Sequence, residues 1–354
     1  MRRRKSLSAC LVLLLPATLG QGGASCSPEV SSYIQCRWTV PQGEPDYLSL
    51  RRLKLTLEGD ADKSSRYFVQ MFYKDNNRSA SDGQLFVQEA WMRWQVGRGR
   101  VTVGQFKPPF GLERFTADWD LDTIDRSLVT DALIPDGKLN QGRSFARDRG
   151  VQFDSQTPDG RLWWAFGLFE GHGANTKLRS PAPLLATRLI WTAAQNRTLT
   201  AKLGAAFSTR DERDMDFSRA LPGSAPLGYA HFAGRDTRIG LEAALDWGRT
   251  RFRAEYLRAH FSPDTPSQPH LRASGYYGQL SYAASPRLEA VLKHEGFDPN
   301  EAVIDRCDVR QTTLGLTYLL RGRRDRIQLN YVHKREPVAP RDNDALLLQV
   351  QKFF

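Results

Sequence analysis

The sequence predicts an all-β protein, specifically a 16-stranded antiparallel transmembrane β-barrel with a long, inward-folded third outer loop. From Tyr33 to Phe354, apolar and polar residues alternate with a period of two, and β-branched and aromatic residues are frequent. The connections between these segments alternate between very short and long, as in barrels with tight turns at one rim and long loops at the other. No convincing amphipathic helix interrupts this pattern.

Composition excludes several other classes of protein. The chain has 354 residues, of which 40% are hydrophobic and 25% charged, so it can bury a core and is not disordered. Four cysteines are too few for a disulfide-rich scaffold of this length. The longest nearly uncharged apolar run, residues 7–20, is shorter than the roughly 18 residues that a spanning helix needs. A soluble β-protein and a membrane barrel remain. The mean hydropathy does not separate them, because apolar and polar residues alternate along barrel strands and their average is hydrophilic.

Residues 1–24 have the pattern of a secretory signal peptide: a basic start, an apolar stretch and small residues before the expected cleavage site. Its removal leaves one barrel domain, residues 25–354, and lowers the formal charge from +11 to about +7. Export of this kind predicts the outer membrane of a Gram-negative bacterium. Cys26 either pairs with Cys36 in an oxidising compartment or carries a lipid anchor, and the sequence leaves both open.

The strand count follows from the connections. The clearest strands are residues 53–58, 85–96, 199–208, 238–247, 251–256 and 326–332. If the last strand, residues 344–354, ends at the periplasmic side, residues 47–59 run in the same direction. A periplasmic N-terminus then requires one earlier strand, which residues 32–40 supply, and the total becomes sixteen.

The two faces of these strands differ in chemistry. The apolar face is expected to contact lipid, whereas the opposite face carries fourteen cations against eight anions. A lumen with such a surplus favours anions, because charged side chains around a pore select ions by sign. The cations are Arg37, Arg52, Lys54, Arg93, Arg100, Arg161, Lys202, Arg238, Arg251, Arg253, Arg287, Lys293, Arg326 and Lys334. A soluble β-sandwich with a solvated charged face is the alternative, but it does not explain the connections or the signal peptide.

Residues 107–148 form the longest outer loop, and a structureless loop of this length in a compact protein is usually functional. Around it lie the runs VGQFKPPFGLER (103–114), DRSL (125–128) and RDRGVQ (147–152). These runs resemble the phosphate-selective porin O/P family, and GQFKPPFGLE is the most specific of them. The terminal Phe354 also resembles the signal that the barrel-assembly machinery reads.

The resemblance implies a diffusion channel, usually trimeric, that prefers anions such as phosphate or polyphosphate, with residues 107–148 as its constriction loop. Arginine offers a fork suited to phosphate oxygens, and lysine a compact mobile charge. The predicted anion path consists of Lys107, Arg114, Arg126, Lys138, Arg147 and Arg149 in or beside the loop, with Arg93, Lys202, Arg253 and Lys293 on the strands. Alternatively, the loop cations pair with the loop aspartates at 118, 120, 122 and 125 and only fix the loop to the wall.

The expected partners are inorganic phosphate or other small anions, outer-membrane lipid, the barrel-assembly machinery and further copies of the chain in a homotrimer. Neither catalysis, a cofactor nor nucleic-acid binding is expected, because the motifs of hydrolases, nucleotide-binding proteins and zinc proteases are missing from the sequence. Asp118-x-Asp120-x-Asp122 begins like a calcium loop, but Thr123 and Val129 occupy the positions that need glycine and glutamate. A non-conducting structural or adhesive barrel, and a channel for sugars or organic acids, remain as alternatives.

Overall fold

The computed structural model describes residues 28–75, 83–135, 146–175, 183–217, 227–305, 307–338 and 340–354. Sixteen antiparallel strands form one sheet, in which each strand pairs with its neighbours in sequence order. The sheet closes because β1 pairs with β16, in a register that places Tyr33 opposite Phe353. Closure removes unpaired strand edges, which is the condition for crossing hydrocarbon with strands. The predicted barrel and its strand number are therefore confirmed.

The strands are β1 Glu29–Pro41, β2 Tyr47–Asp60, β3 Ser65–Asp75, β4 Gln84–Val96, β5 Gly99–Phe106, β6 Asp148–Gln156, β7 Leu162–Phe169, β8 Leu184–Gln195, β9 Leu199–Asp216, β10 His231–Trp247, β11 Thr250–Pro263, β12 Leu271–Ala283, β13 Leu288–Asp298, β14 Val309–Arg321, β15 Asp325–Arg335 and β16 Ala345–Phe353. Short turns such as 97–98 and 248–249 lie at one end of the barrel, and the long connections lie at the other. In the described part of the third long connection, residues 107–147, there are two 3-10 turns, Glu113–Phe115 and Asp118–Asp120, and a short α-helix, α1 Leu128–Leu133.

The two faces of the sheet have the predicted chemistry. On β14 the exposed Leu314, Leu316 and Tyr318 alternate with Thr313 and Thr317, which are 4% and 2% exposed. A leucine-rich outer face and a polar inner face are what lipid on one side and water on the other require. Among the described residues, no helix is both long and apolar enough to span a bilayer.

Two strands are longer than predicted. Residues 210–235 were expected to form an outer loop, yet β9 continues to Asp216 and β10 begins at His231. The run of charges that indicated a loop is satisfied across the sheet, because Arg210 lies 2.7 Å from Glu212 and 3.3 Å from Asp236. Charged residues can therefore continue a strand wherever their partners lie on the same face.

A β-bulge changes the facing of one arginine. The β1–β2 register shifts so that Gln35 lies opposite Arg52 and Cys36 opposite Leu50, which leaves Arg51 as the extra residue. Strict alternation would place Arg51 beside the leucines of the outer face. Instead, its guanidinium group lies 3.5 Å from Asp125 of the third connection.

An apolar cluster lies on the inner side of β9 to β12, where helix α1 packs. Val129 and Leu133 of α1 are fully buried together with Leu257 and Phe261. The helix begins at Ser127, whose hydroxyl accepts a hydrogen bond from the Thr130 backbone at 3.2 Å. This cluster joins the third connection to the wall by burial of apolar surface.

Some predicted features lie outside the described residues, namely the signal peptide, Cys26 and Lys138. The choice between a Cys26–Cys36 disulfide and a lipid on Cys26 therefore stays open, as does the boundary of the barrel domain at residue 25.

An arginine placed on the outer face should destabilise the barrel. Leu241→Arg puts a charge in lipid at a position that is 57% exposed, and we expect the free energy of unfolding to fall by about 2–4 kcal/mol. The matched control is Gln95→Arg, which adds the same side chain at an exposed position in register with Arg93 on the inner face, and it should change this energy by less than about 1 kcal/mol. Denaturant titration in lipid vesicles measures both, and equal losses would contradict the assignment of faces.

Candidate functional site

The third connection begins with a tightly held turn. Residues 108–109 are both proline, which restricts the backbone. Gly111 has a φ of +81°, and a Cβ there would lie 2.7 Å from Oε1 of Glu255 on β11. The Glu255 carboxylate accepts backbone hydrogen bonds from Leu112 at 2.7 Å and Glu113 at 3.0 Å. The motif therefore needs glycine here, because a side chain would displace this carboxylate.

Four aspartates of the connection then pair with cations on the inner face of the barrel. The ion pairs are Asp118–Lys54 at 2.5 Å, Asp120–Arg323 at 2.5 Å, Asp122–Arg251 at 2.9 Å and Asp125–Arg37 at 2.8 Å. Their wall partners lie on β2, the turn after β14, β11 and β1. Going round the closed sheet from β11 to β2, these positions belong to one contiguous half of the wall.

Between these ion pairs, the connection forms hydrogen bonds with strands β15 and β16. Asn330 accepts a hydrogen bond from the backbone of Ile124 at 2.7 Å. The Gln351 side chain donates to the Trp119 carbonyl at 3.2 Å, and Gln328 donates to the Leu121 carbonyl at 3.3 Å. Residues 113–133 thus follow the inner face of β11 to β16, β1 and β2.

Four of the predicted site residues lie close enough to interact electrostatically: Lys107, Arg114, Arg126 and Arg147. Burial, followed by repulsion from Arg147, lowers the pKa of Lys107 well below its usual value. Burial lowers the pKa of Arg114 in the same way, and the charges of Arg147 and Arg126 lower it further. Mutual repulsion of this kind marks a place where an incoming anion is favoured. We call these four residues the basic cluster.

Two members of the basic cluster are held by carboxylates. Arg147 binds Glu89 of β4 through Nε at 3.0 Å and Nη2 at 2.7 Å. Arg126 binds Asp118 at 2.8 Å and also donates to backbone carbonyls of the segment. Pairing with a loop aspartate was the alternative role predicted for the loop cations, and Arg126 has such a partner. For Arg147 the partner comes from the wall instead.

Lys107 has a different environment from its neighbours. Its Nζ lies 5.7 Å from the centre of the Phe115 ring, and Arg188 of β8 approaches the same ring at 4.8 Å. No carboxylate lies within ion-pair distance of Lys107 among the described residues. Lys107 therefore differs from Arg126 and Arg147, which each bind a carboxylate.

The predicted strand cations lie on the inner face but apart from one another. Arg93 donates to the Thr102 hydroxyl at 2.9 Å, and Lys202 is exposed in register with the inward Arg210. Arg253 pairs with Asp246 at 2.7 Å, near the short-turn end. The fourth, Lys293, is 1% exposed and lies 3.3 Å from Glu113, so it holds the segment rather than facing the lumen.

Arg149 was predicted in the anion path, but the structure places it on the outer face. It is in register with Val151, which is 48% exposed, and it pairs with Glu170 at 2.7 Å. The reason is the two-residue period, since the adjacent Asp148 is fully buried on the inner face. Lys138 lies outside the described residues.

Sequence reasoning missed some inward cations and overestimated the net positive charge of the wall. Arg188 is 4% exposed and binds Glu242, and Arg323 in a turn binds two loop aspartates. Several wall cations counted as lumen charge are neutralised by the connection itself. Consecutive arginines at 51 and 52 were the visible signal of the bulge, but only the register identifies it.

Comparison with known proteins agrees with this architecture. The profile of the family "Phosphate-selective porin O and P" matches residues 41–351. A sequence search among curated proteins finds no significant match.

Solved structures with the same fold include three porins of low sequence identity. The anion-selective porin from Comamonas acidovorans is 15% identical, with 93% of this chain and 100% of that chain covered and a TM-score of 0.66. OmpF of Salmonella typhi, in complex with daunomycin, is 11% identical, with 92% and 97% covered and a TM-score of 0.65. In vitro folded OmpT of Vibrio cholerae, in its trimer form, is 11% identical, with 93% and 99% covered and a TM-score of 0.60.

The fold and the family point to the outer membrane and to a channel rather than an enzyme. Because the family profile spans the barrel from the end of β1 almost to the end of β16, the chain belongs to the phosphate-selective porin O and P family.

Proposed function

We propose that the protein is a passive outer-membrane channel for small anions, inorganic phosphate among them, and that residues 107–147 form its constriction. The observation that carries this proposal is the basic cluster, which gathers four cations beside a segment whose aspartates pair with the wall, Asp118 binding Arg126 of the cluster as well. The Comamonas porin is described as anion-selective, and that description supports the same preference here.

Charge segregation explains how the site would favour anions. The aspartates of the segment are occupied by Lys54, Arg37, Arg251 and Arg323, so their negative charge is balanced at the wall. Lys107, by contrast, has no carboxylate within ion-pair distance in the part of the chain that the structure describes. An anion that enters this region replaces some of its water with cationic donors, whereas a cation meets repulsion.

Arginine forks support phosphate as one of the permeating anions. Guanidinium groups present paired N–H donors that match two phosphate oxygens, and lysine adds a mobile point charge. Arg114 and Arg147 provide such groups within one cluster with Lys107. Because Glu89 already takes the Nε and Nη2 donors of Arg147, that arginine would bind a passing phosphate only in part, which suits rapid passage.

The proposal also includes the assembly and processing predicted from the sequence. We infer a signal peptide at residues 1–24, a homotrimer and assembly by the barrel-assembly machinery. A trimer-forming OmpT structure of the same fold supports the oligomeric state. The terminal Phe354, which is 72% exposed, is available to an assembly factor.

Reversing the charge of Lys107 should change ion selectivity. Lys107→Glu replaces a cation of the basic cluster by an anion, and a unit charge about 4 Å from an ion contributes about 1 kcal/mol even in water. We expect the anion-to-cation permeability ratio to fall at least about fivefold, as measured from reversal potentials in a salt gradient across planar bilayers. Arg149→Glu makes the same charge change on the outer face and should leave the ratio within about twofold.

The same recordings test the proposal as a whole. Wild-type protein should conduct with anion selectivity, and added phosphate should reduce the chloride current as the two anions compete. Absence of conductance would assign the chain to non-conducting barrels. Cation selectivity of the wild type, or equal effects of the two substitutions, would reject the basic cluster as the selective element.

Protonation of Asp122 should release part of the segment in acid. Burial alone would raise the pKa of Asp122, but Arg323 and Arg251 lower it to about 2. A carboxyl whose pKa is lowered in the folded state contributes stability above its unfolded pKa of about 3.9, and that stability is lost as the pH falls through about 2. Asp122→Asn should therefore cost about 3 kcal/mol at pH 7, and the difference from wild type should shrink by about 2 kcal/mol between about pH 5 and pH 2.

Urea unfolding over this pH range measures both values. Asp264→Asn removes an exposed carboxyl at the outer rim and serves as the control, with an expected change of less than about 0.5 kcal/mol. A difference between wild type and Asp122→Asn that does not depend on pH would show that the charge of Asp122 does not hold the segment.

A further inference from the structure

Two arginines face each other on the outer surface of the barrel, next to the long loops. Arg310 of β14 and Arg335 of β15 are directly opposite in the register, and both are exposed. Each alternates with an inward neighbour, the buried Gln311 and the half-buried Lys334, so both arginines belong to the outer face. Like charges in directly opposite positions destabilise a sheet pair. A pair of this kind needs a balancing anion.

Three other outward arginines each have a carboxylate partner. The pairs are Arg149–Glu170 at 2.7 Å, Arg235–Asp211 at 2.9 Å and Arg258–Glu301 at 2.5 Å. Among the described residues, neither Arg310 nor Arg335 has a carboxylate within 4.0 Å. Asp344, which directly precedes β16, binds His333 at 3.0 Å. Within the described part of the chain, the arginine pair thus differs from these three arginines in having no carboxylate partner.

An apolar groove of about 500 Å³ lies below the arginine pair, toward the short-turn end. Leu314 lies four residues along β14 from Arg310, and Tyr331 lies four residues along β15 from Arg335, each on the outer face. The small side chain of Ala290 lies opposite Leu316 and Tyr282, and this size difference produces the depression. An elongated apolar group fits this space.

Between the arginines and the groove lies a row of polar side chains. Thr312 is opposite His333, and its hydroxyl lies 2.9 Å from Nδ1 of His294 on β13. The order along the outer wall is thus cationic, then polar, then apolar. This is the order of a phospholipid from headgroup through glycerol to acyl chain.

We propose that Arg310, Arg335 and the groove below them form a binding site for a membrane lipid whose headgroup carries a phosphate monoester. The two guanidinium groups bind the phosphate oxygens at the outer rim, and an acyl chain lies in the groove beside Ala290 and Leu314. The positive charge of the two arginines favours a phosphate headgroup. The groove favours a lipid over free phosphate, because only a lipid has an acyl chain to place in it. The site is on the outside of the wall and is independent of the lumen and of the basic cluster.

Lipid retention tests this site directly. The protein is reconstituted in nanodiscs of phosphatidylcholine that contain a minor fraction of phosphatidic acid, and native mass spectrometry measures the lipid that stays bound on release. Wild type should retain phosphatidic acid in preference to phosphatidylcholine. Arg310→Gln combined with Arg335→Gln should reduce this retention at least about tenfold, because it removes two charge-assisted contacts. Arg235→Gln, an outward arginine away from the groove, is the matched control and should retain phosphatidic acid like wild type.

A second variant tests the groove alone, and its result is informative even if the arginine double variant does not fold. Ala290→Trp fills the depression and should reduce lipid retention with both arginines intact, whereas Ala254→Trp, outward on β11 and outside the groove, should not. Normal retention by the arginine double variant or by Ala290→Trp would overturn the proposal. Displacement of the lipid by inorganic phosphate at equal concentration would also overturn the proposal. The same holds if the variants lose the oligomer but keep the bound lipid.

Discussion

The separation of charge inside the barrel depends on one set of interactions, the ion pairs between the third connection and half of the inner wall. Asp118, Asp122 and Asp125 lie within a few ångströms of cations from β1, β2 and β11. Such pairs are strong where water is scarce, and removing one partner leaves a buried charge without compensation. Asp120, Asp122 and Asp125 pair with wall cations, whereas Asp118 also binds Arg126 of the basic cluster. A local arrangement of partners thus fixes the positions of both kinds of charge inside the barrel.

The outer wall follows from a different constraint. Hydrocarbon offers no hydrogen-bond partners, so each backbone group in the spanning region must pair within the sheet. Period-two alternation then presents leucine, tyrosine and tryptophan outward and polar side chains inward, as β14 shows with Leu316 and Thr317. The outer face is nonetheless not uniform. Where small and large residues adjoin, as at Ala290, and where arginines go unpaired, as at Arg310, it acquires features that a purely apolar belt would lack.

Much of the fold was predictable from the sequence because each strand needs only local information. Alternation, turn residues and the lengths of connections predict sixteen strands and place the third connection at residues 107–148, one residue longer than in the structure. The clustering of Lys107, Arg114, Arg126 and Arg147 was anticipated only through the family resemblance. The face of the sheet on which a side chain lies was harder to predict, because a shift of one residue reverses it. Arg149, for example, lies on the outer face directly after the buried, inward Asp148. The pairing of Arg126 with a loop aspartate was among the sequence alternatives, but pairs with the wall could not be predicted, because residues such as Asp120 and Arg323 are two hundred positions apart and meet only after closure.

The third connection also bridges the join between the first and last strands. Gln35 and Gln351 meet there at 2.6 Å, although 316 positions separate them along the chain. From inside the barrel, Asp125 holds Arg37 of β1, while the Trp119 carbonyl takes a hydrogen bond from Gln351 of β16. The seam that joins the two ends of the sheet is thus crossed by a segment from the first half of the sequence. Substitutions in residues 119–125 would consequently loosen the closure of the cylinder as well as the attachment of this segment.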